Sequence, residues 1–117
     1  MKISEIRNLL SADVLCGEEM MDCEVTSACC CDMMSDVLAY VKDQGVLLTG
    51  LINTQVVRTA NMMDMICIVF VRNKAPTPEI IELARESGIV VMRSASRAYE
   101  ASGLLYHAGL GQMQAHV

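Results

Sequence analysis

The stretch Met65-Ile66-Cys67-Ile68-Val69-Phe70-Val71 contains seven apolar residues in succession, the longest such run in the chain. A strand with one solvated face alternates polar and apolar residues, whereas an unbroken apolar run indicates burial on both faces. Burial on both faces is typical of an inner strand in a parallel sheet that helices cover on each side. The run is also far shorter than the roughly 20 residues that cross a membrane. It therefore predicts an α/β domain with residues 65–71 as an inner strand.

Strand and helix patterns alternate on both sides of this run. Apolar runs predict further strands at residues 14–17, 25–31, 46–50 and 89–92. Apolar residues at helical spacing predict helices at residues 3–10, 33–42, 54–63, 78–87 and 97–107. Parallel strands joined by helices need right-handed crossovers, which places helices on both faces of the sheet. The predicted fold class is α/β, a three-layer α/β/α sandwich with a mainly parallel five-stranded sheet.

Several helix ends carry recognisable signals. Side chains that cap helix N-termini precede four of the predicted helices, at Asp32, Asn53, Thr77 and either Ser94 or Ser96. Gly45 and Gly88 stand where two of the helices are expected to end. In the last helix, the residues predicted to face the core are Ala98, Ala101, Leu104, Leu105 and Ala108.

Length and charge limit the classes of protein that fit. The chain has 117 residues, which suits one domain, here expected at residues 1–110 with a tail at 111–117. The formal net charge is −5, and no run of Lys or Arg is present. We therefore expect no nucleic-acid partner and no binding to an anionic membrane. The first residues lack the apolar stretch of a signal peptide, so we expect a cytoplasmic protein.

Six cysteines raise the question of thiol chemistry. A reducing compartment keeps thiols free, so we expect small buried side chains rather than disulfides. In the triplet Cys29-Cys30-Cys31, a strand would turn Cys29 and Cys31 to one face and Cys30 to the other. Cys31 would then stand beside a helix N-terminus, which could make it reactive. The C-x₂-C spacing of zinc and iron–sulfur sites is missing from the sequence, and we expect no metal and no cofactor.

The predicted ligand site is the edge where the parallel strands end, because ligands of open α/β sheets gather there. The polar residues expected at this edge are Asp32, Ser35, Asp36, Thr49, Gly50, Asn53, Arg72, Ser94 and Arg97. Any one of them can instead serve as a cap or turn residue. The two carboxylates, four residues apart, also allow a metal or acid–base pair. Phosphate-loop and hydrolase patterns are missing from the sequence, so we expect no catalysis.

The chain resembles the DRTGG domain family over about residues 1–110. The resemblance is carried by four stretches: CDMMSDVL at residues 31–38, LLTG at 47–50, ICIVFV at 66–71 and ELARESGIVV at 82–91. Domains of this family are similar to the N-terminal domain of HPr kinase/phosphorylase and occur beside CBS domains in regulated pyrophosphatases. The resemblance implies an α/β/α sandwich, frequent dimerisation and a regulatory or assembly role without catalysis of its own.

Three functional hypotheses follow. The first is a non-catalytic regulatory module, a homodimer that binds a partner protein or small ligand, with the last helix or residues 62–65 as the dimer surface. The second is a sensor of a nucleotide or phosphometabolite at the strand-end edge, where Arg72, Lys74 and Arg97 would supply positive charge. The third is a redox-linked accessory protein that uses the cysteine triplet.

Overall fold

Five strands form a single sheet with helices on both faces in the computed structural model, which describes residues 1–40 and 45–111, without the side chains of residues 39 and 40. The strands are β1 (Asp13–Cys16), β2 (Ser27–Cys30), β3 (Gly45–Thr49), β4 (Cys67–Phe70) and β5 (Val90–Arg93). The helices are α1 (Ile3–Leu10), α2 (Met34–Tyr40), α3 (Thr54–Met62), α4 (Pro78–Ser87) and α5 (Ala98–His107). A short 3₁₀ helix, Glu18–Met20, follows β1.

The sheet has the order β1-β5-β4-β3-β2, which confirms the predicted fold class. Strands β2 to β5 are parallel neighbours. Only β1 runs antiparallel, at one edge, where Val14 lies opposite Met92 of β5. An antiparallel edge strand on an otherwise parallel sheet is a common arrangement in α/β proteins.

Alternate residues of β4 face opposite sides of the sheet, as the strand period requires. Ile68 and Phe70 join the core beneath α2, α3 and α4, whereas Cys67 and Val69 join the core beneath α1 and α5. All four are fully buried. The prediction that this run is an inner strand buried on both faces is therefore confirmed.

Two of the predicted N-caps are confirmed by hydrogen bonds. The Asn53 side-chain oxygen accepts from the Val56 N–H at 3.2 Å, and the Thr77 hydroxyl accepts from the Ile80 N–H at 3.3 Å. Gly88 ends α4 in the left-handed conformation, with φ at 71°. These signals succeed because each depends on residues within one helical turn.

Other local predictions are wrong. α5 begins after Arg97, and neither Ser94 nor Ser96 caps it, because the Ser94 hydroxyl donates to the Leu10 carbonyl at the end of α1. Gly45 is the first residue of β3, and because residues 41–44 lie outside the described residues, the predicted helix end at this glycine stays a prediction. In α5 the residues predicted to face the core include Leu104 and Ala108, which are exposed. The helix therefore buries a narrower face than its sequence suggests.

No helix within residues 1–40 and 45–111 has the length and apolar character needed to cross a membrane.

Candidate functional site

The carboxyl ends of β2, β3 and β4 lie side by side, and the loops that follow them meet around Asp32. Asp32 does not cap α2, which begins at Met34; its side chain turns to the loop after β3 instead. Its Oδ1 accepts two hydrogen bonds of 2.9 Å, from the Thr49 hydroxyl and from the Gly50 N–H. Its Oδ2 lies 3.6 Å from Nη2 of Arg72, which follows β4. Three loops therefore converge on one carboxylate.

The chain after β4 takes an unusual turn to bring Arg72 to this point. Arg72 and the next residue, Asn73, both adopt left-handed conformations, with φ of 61° and 57°. Their N–H groups donate to the carbonyls of Ser96 and Ser94, each at 2.8 Å, which ties the turn to the loop after β5. Left-handed residues other than glycine are uncommon, and two in succession fix the direction of the Arg72 side chain.

Gly50 leaves room for the Arg72 side chain. A Cβ on Gly50 would overlap the Arg72 guanidinium, so any side chain here would push Arg72 out of its position. Thr49 is buried, and its hydroxyl oxygen also accepts from the Leu51 N–H at 3.1 Å, which holds the hydroxyl in place. The Thr49 hydroxyl and the Gly50 N–H, which both donate to Asp32, are therefore held in place by β3 and the residues that follow it.

The hydrogen bonds lower the pKa of Asp32. The Gly50 N–H contributes most, and the Thr49 hydroxyl and the Arg72 charge act in the same direction, against partial desolvation. Asp32 is therefore ionised at neutral pH.

We expect the substitution Asp32→Asn to lower the free energy of unfolding by about 1 kcal/mol at pH 7, since half-exposed charged groups contribute less than buried ones. The folded pKa lies below the unfolded one, so this contribution is present above the unfolded pKa and is lost as pH falls through the folded pKa. Urea unfolding of both proteins at neutral pH and below about pH 3 measures it. If the difference in the free energy of unfolding between the wild type and Asp32→Asn were the same at both pH values, the lowered pKa of Asp32 would be contradicted.

The other predicted site residues do not join this cluster. Asn53 caps α3, and Ser94 is buried, with its hydroxyl also accepting from the Ser96 N–H at 3.1 Å. Arg97 stands at the start of α5, where its N–H donates to the Glu100 carboxylate. Ser35 and Asp36 are exposed on the first turn of α2, and the Asp36 carboxylate lies 4.0 Å from the Cys31 sulfur.

The cysteine triplet is arranged as the strand period predicts. Cys29 and Cys31 pack against the core beneath α2, α3 and α4, whereas Cys30 is exposed on the other face. Burial raises the pKa of Cys29, with smaller contributions from Cys31, Cys30 and Asp36, and so reduces its thiolate fraction. Among the residues that the structure describes, no three metal-ligating side chains are grouped to hold a metal ion. Burial therefore reduces the reactivity of Cys29 alone, and the redox role of the triplet, which was predicted to act through Cys31, stays a prediction.

A groove of about 500 Å³ lies between α5 and the edge strand β2. Its walls include Tyr99 and Tyr106 from the helix and Cys30 from the strand, and Ser102 and Gly103 lie between the two tyrosines. The last helix was predicted as a candidate dimer surface, but the groove beside it was not predicted. It contains none of the nine predicted ligand-site residues. The exposed Gly103 in the middle of a helix is the sequence signal that could have marked it.

A family model described as the DRTGG domain matches residues 5–108. The chain belongs to the DRTGG domain family. No match was found among curated proteins.

A solved structure shows the same fold as this DRTGG domain. It is the crystal structure of the CBS and DRTGG domains from the regulatory region of Clostridium perfringens pyrophosphatase, complexed with the activator diadenosine tetraphosphate. The TM-score is 0.74 at 19% sequence identity, over 89% of the present chain. The match spans only 45% of the pyrophosphatase chain.

Proposed function

We propose that this DRTGG domain is a non-catalytic regulatory module of the cytoplasm that binds a small anionic ligand, a nucleotide or phosphometabolite, at the carboxyl edge of its sheet. The observation that carries the proposal is the meeting of Thr49, Gly50 and Arg72 from two loops, two neutral donors and one cation. Donors of this kind bind phosphate and carboxylate groups in proteins. The similar pyrophosphatase region, which is regulatory and was crystallised with a nucleotide activator, supports the same class of ligand.

A thermal-shift screen tests the ligand. The panel comprises adenosine monophosphate, adenosine triphosphate, diadenosine tetraphosphate and acetyl phosphate. One compound is expected to raise the melting temperature saturably, by roughly 5–10 °C at a hundredfold excess over its Kd. The variant Thr49→Val removes one donor and is expected to weaken the response. Silence across the panel, or an unchanged response in the variant, would count against the proposal.

We also propose that two copies of the chain associate through α5. Tyr99 is 90% exposed and Tyr106 is 61% exposed, and with Leu104 they give this helix half of the large exposed apolar side chains in the described residues. Gly103 costs about 1 kcal/mol in a helix interior relative to alanine, and a Cβ there would meet nothing within 4 Å inside the chain. A glycine without a neighbour in its own chain allows a second helix to approach closely.

We propose a second copy as the partner because a two-fold axis beside α5 would use the same exposed tyrosines on both subunits. Tyr99 and Tyr106 stand on either side of Gly103, and in the proposed dimer two antiparallel copies of α5 cross close to this glycine. Two-fold dimers use one patch on both subunits in this way. Residues 62–65 are a weaker candidate, since Met62 is exposed but Met65 is buried.

Sedimentation velocity at micromolar concentration tests the dimer. We expect the wild-type chain to sediment as a dimer and Gly103→Leu as a folded monomer, because leucine fills the approach path while favouring the helix. Met62→Ala, on a different exposed surface, is the control and should remain dimeric. A wild-type monomer, or dissociation caused only by the Met62 variant, would contradict the α5 interface.

A further inference from the structure

Asp32 fills the position that the proposed ligand needs. All three groups that would bind an anion are already directed at its carboxylate: the Thr49 hydroxyl and the Gly50 N–H at 2.9 Å, and the Arg72 guanidinium at 3.6 Å. A carboxylate and a phosphate present similar oxygen acceptors to such donors. The protein therefore holds an anion of its own in this site.

The donors and the carboxylate differ in how firmly they are held. The Thr49 side chain is 1% exposed and the Gly50 N–H follows directly from β3, so both donors belong to the rigid sheet edge. The Asp32 side chain is 56% exposed and comes from a separate loop between β2 and α2. Exposed ion pairs contribute little stability, so Asp32 can leave while Thr49 and Gly50 stay in place, and the Arg72 side chain, itself 48% exposed, can move to meet the incoming anion.

A phosphate group has an advantage over Asp32 in this site. It carries up to two negative charges and three acceptor oxygens, whereas the carboxylate has one charge and two oxygens. It can bond to Thr49 and Gly50 and still offer an oxygen to Arg72 at a shorter distance than the 3.6 Å of the present ion pair.

We propose that Thr49, Gly50 and Arg72 form an oxyanion site that Asp32 occupies in the ligand-free protein, and that a phosphate group of a small molecule binds there by displacing the Asp32 carboxylate. This inference rests on the proposed ligand-binding function and adds a competing group within the chain. Its consequence is that binding releases the β2–α2 loop from the sheet edge. The apparent affinity is lowered by the fraction of molecules in which Asp32 is docked.

Pyrophosphate is the probe, because it supplies phosphate groups without a base or sugar. Its affinity is measured by isothermal titration calorimetry for the wild type, Asp32→Asn and the control Asp64→Asn. Asp64 lies in the turn before β4, at the opposite edge of the sheet, and its replacement removes the same charge. We expect Asp32→Asn to bind pyrophosphate about tenfold more tightly than the wild type, and Asp64→Asn to match the wild type within about twofold.

The double variant Asp32→Asn/Arg72→Gln should lose the gain, since the anion then lacks its cation. Asparagine is isosteric with aspartate, and circular dichroism confirms that each variant is folded. Equal gains in Asp32→Asn and Asp64→Asn would overturn the inference, because they would show an effect of net charge alone. So would an unchanged affinity in Asp32→Asn.

The outcomes separate this inference from the proposed function. If a nucleotide from the screen binds the wild type and Asp32→Asn equally, displacement is wrong while the ligand site stands. If Asp32→Asn gains affinity for pyrophosphate but no compound of the panel binds the wild type, displacement is supported and the proposed class of ligand fails.

Discussion

Replacing Phe70 with alanine is expected to lower the free energy of unfolding by about 3–5 kcal/mol. Phe70 is the only phenylalanine of the chain and lies fully buried in β4, the central strand of the sheet. It belongs to the core beneath α2, α3 and α4, where no other buried residue is aromatic, so its truncation leaves a space the size of a ring. A loss of this size is a large part of the stability of a domain of this length.

Urea denaturation measures the effect, with an unchanged m-value showing that the unfolded state is the same. Met62→Ala is the control, because Met62 is 69% exposed at the end of α3 and its truncation should change the stability by less than about 0.5 kcal/mol. A loss below about 1 kcal/mol for Phe70→Ala would mean that β4 is not the centre of the core.

Gly17→Ala is expected to destabilise the protein by about 2–4 kcal/mol. Gly17 follows β1 with φ at 87°, a conformation that costs an alanine free energy by itself. The added Cβ would also lie 2.7 Å from Cγ2 and 2.9 Å from the backbone Cα of Val90 in β5. Because one of these atoms is backbone in an inner strand, the clash cannot be relieved by a side-chain rotation.

Gly88→Ala separates the two causes in the same denaturation experiment. Gly88 has a similar φ of 71°, but a Cβ there meets nothing within 4 Å. It should therefore show the conformational cost alone, about 1 kcal/mol. If Gly17→Ala and Gly88→Ala lowered the free energy of unfolding by the same amount, the close approach of Gly17 to Val90 would not contribute to stability.

Much of the fold could be predicted from the sequence because its signals are local. The succession of strands and helices along the chain follows from apolar spacing, and the caps at Asn53 and Thr77 follow from single residues. The antiparallel direction of β1 was not predicted, since it depends on how residues 17–26 turn rather than on the strand itself. The strands are also shorter than their apolar runs: Met65 and Val71 are buried but lie outside β4.

The polar residues at the strand-end edge could be predicted from the sequence, but their contacts with one another could not, and their role in binding stays a prediction. Strand ends place Asp32, Thr49 and Gly50 at one edge of any parallel sheet of this order. The approach of Arg72 depends on two consecutive left-handed residues, and although asparagine is enriched in this conformation, nothing in the sequence marks Arg72 for it. Asp32 resembles a helix cap in the sequence, and only the structure directs it to Gly50 instead.

The pairing of β1 with β5 has a consequence for how the chain is made. On the ribosome β1 emerges well before β5, its only neighbour in the sheet. The C-terminal end of α1 likewise forms a contact late in the chain, because the Leu10 carbonyl accepts a hydrogen bond from the Ser94 hydroxyl. Contacts so distant in sequence raise the contact order and slow folding. We expect β1 to stay unpaired until β5 has been synthesised, a period in which chaperones that bind exposed apolar segments have access to it.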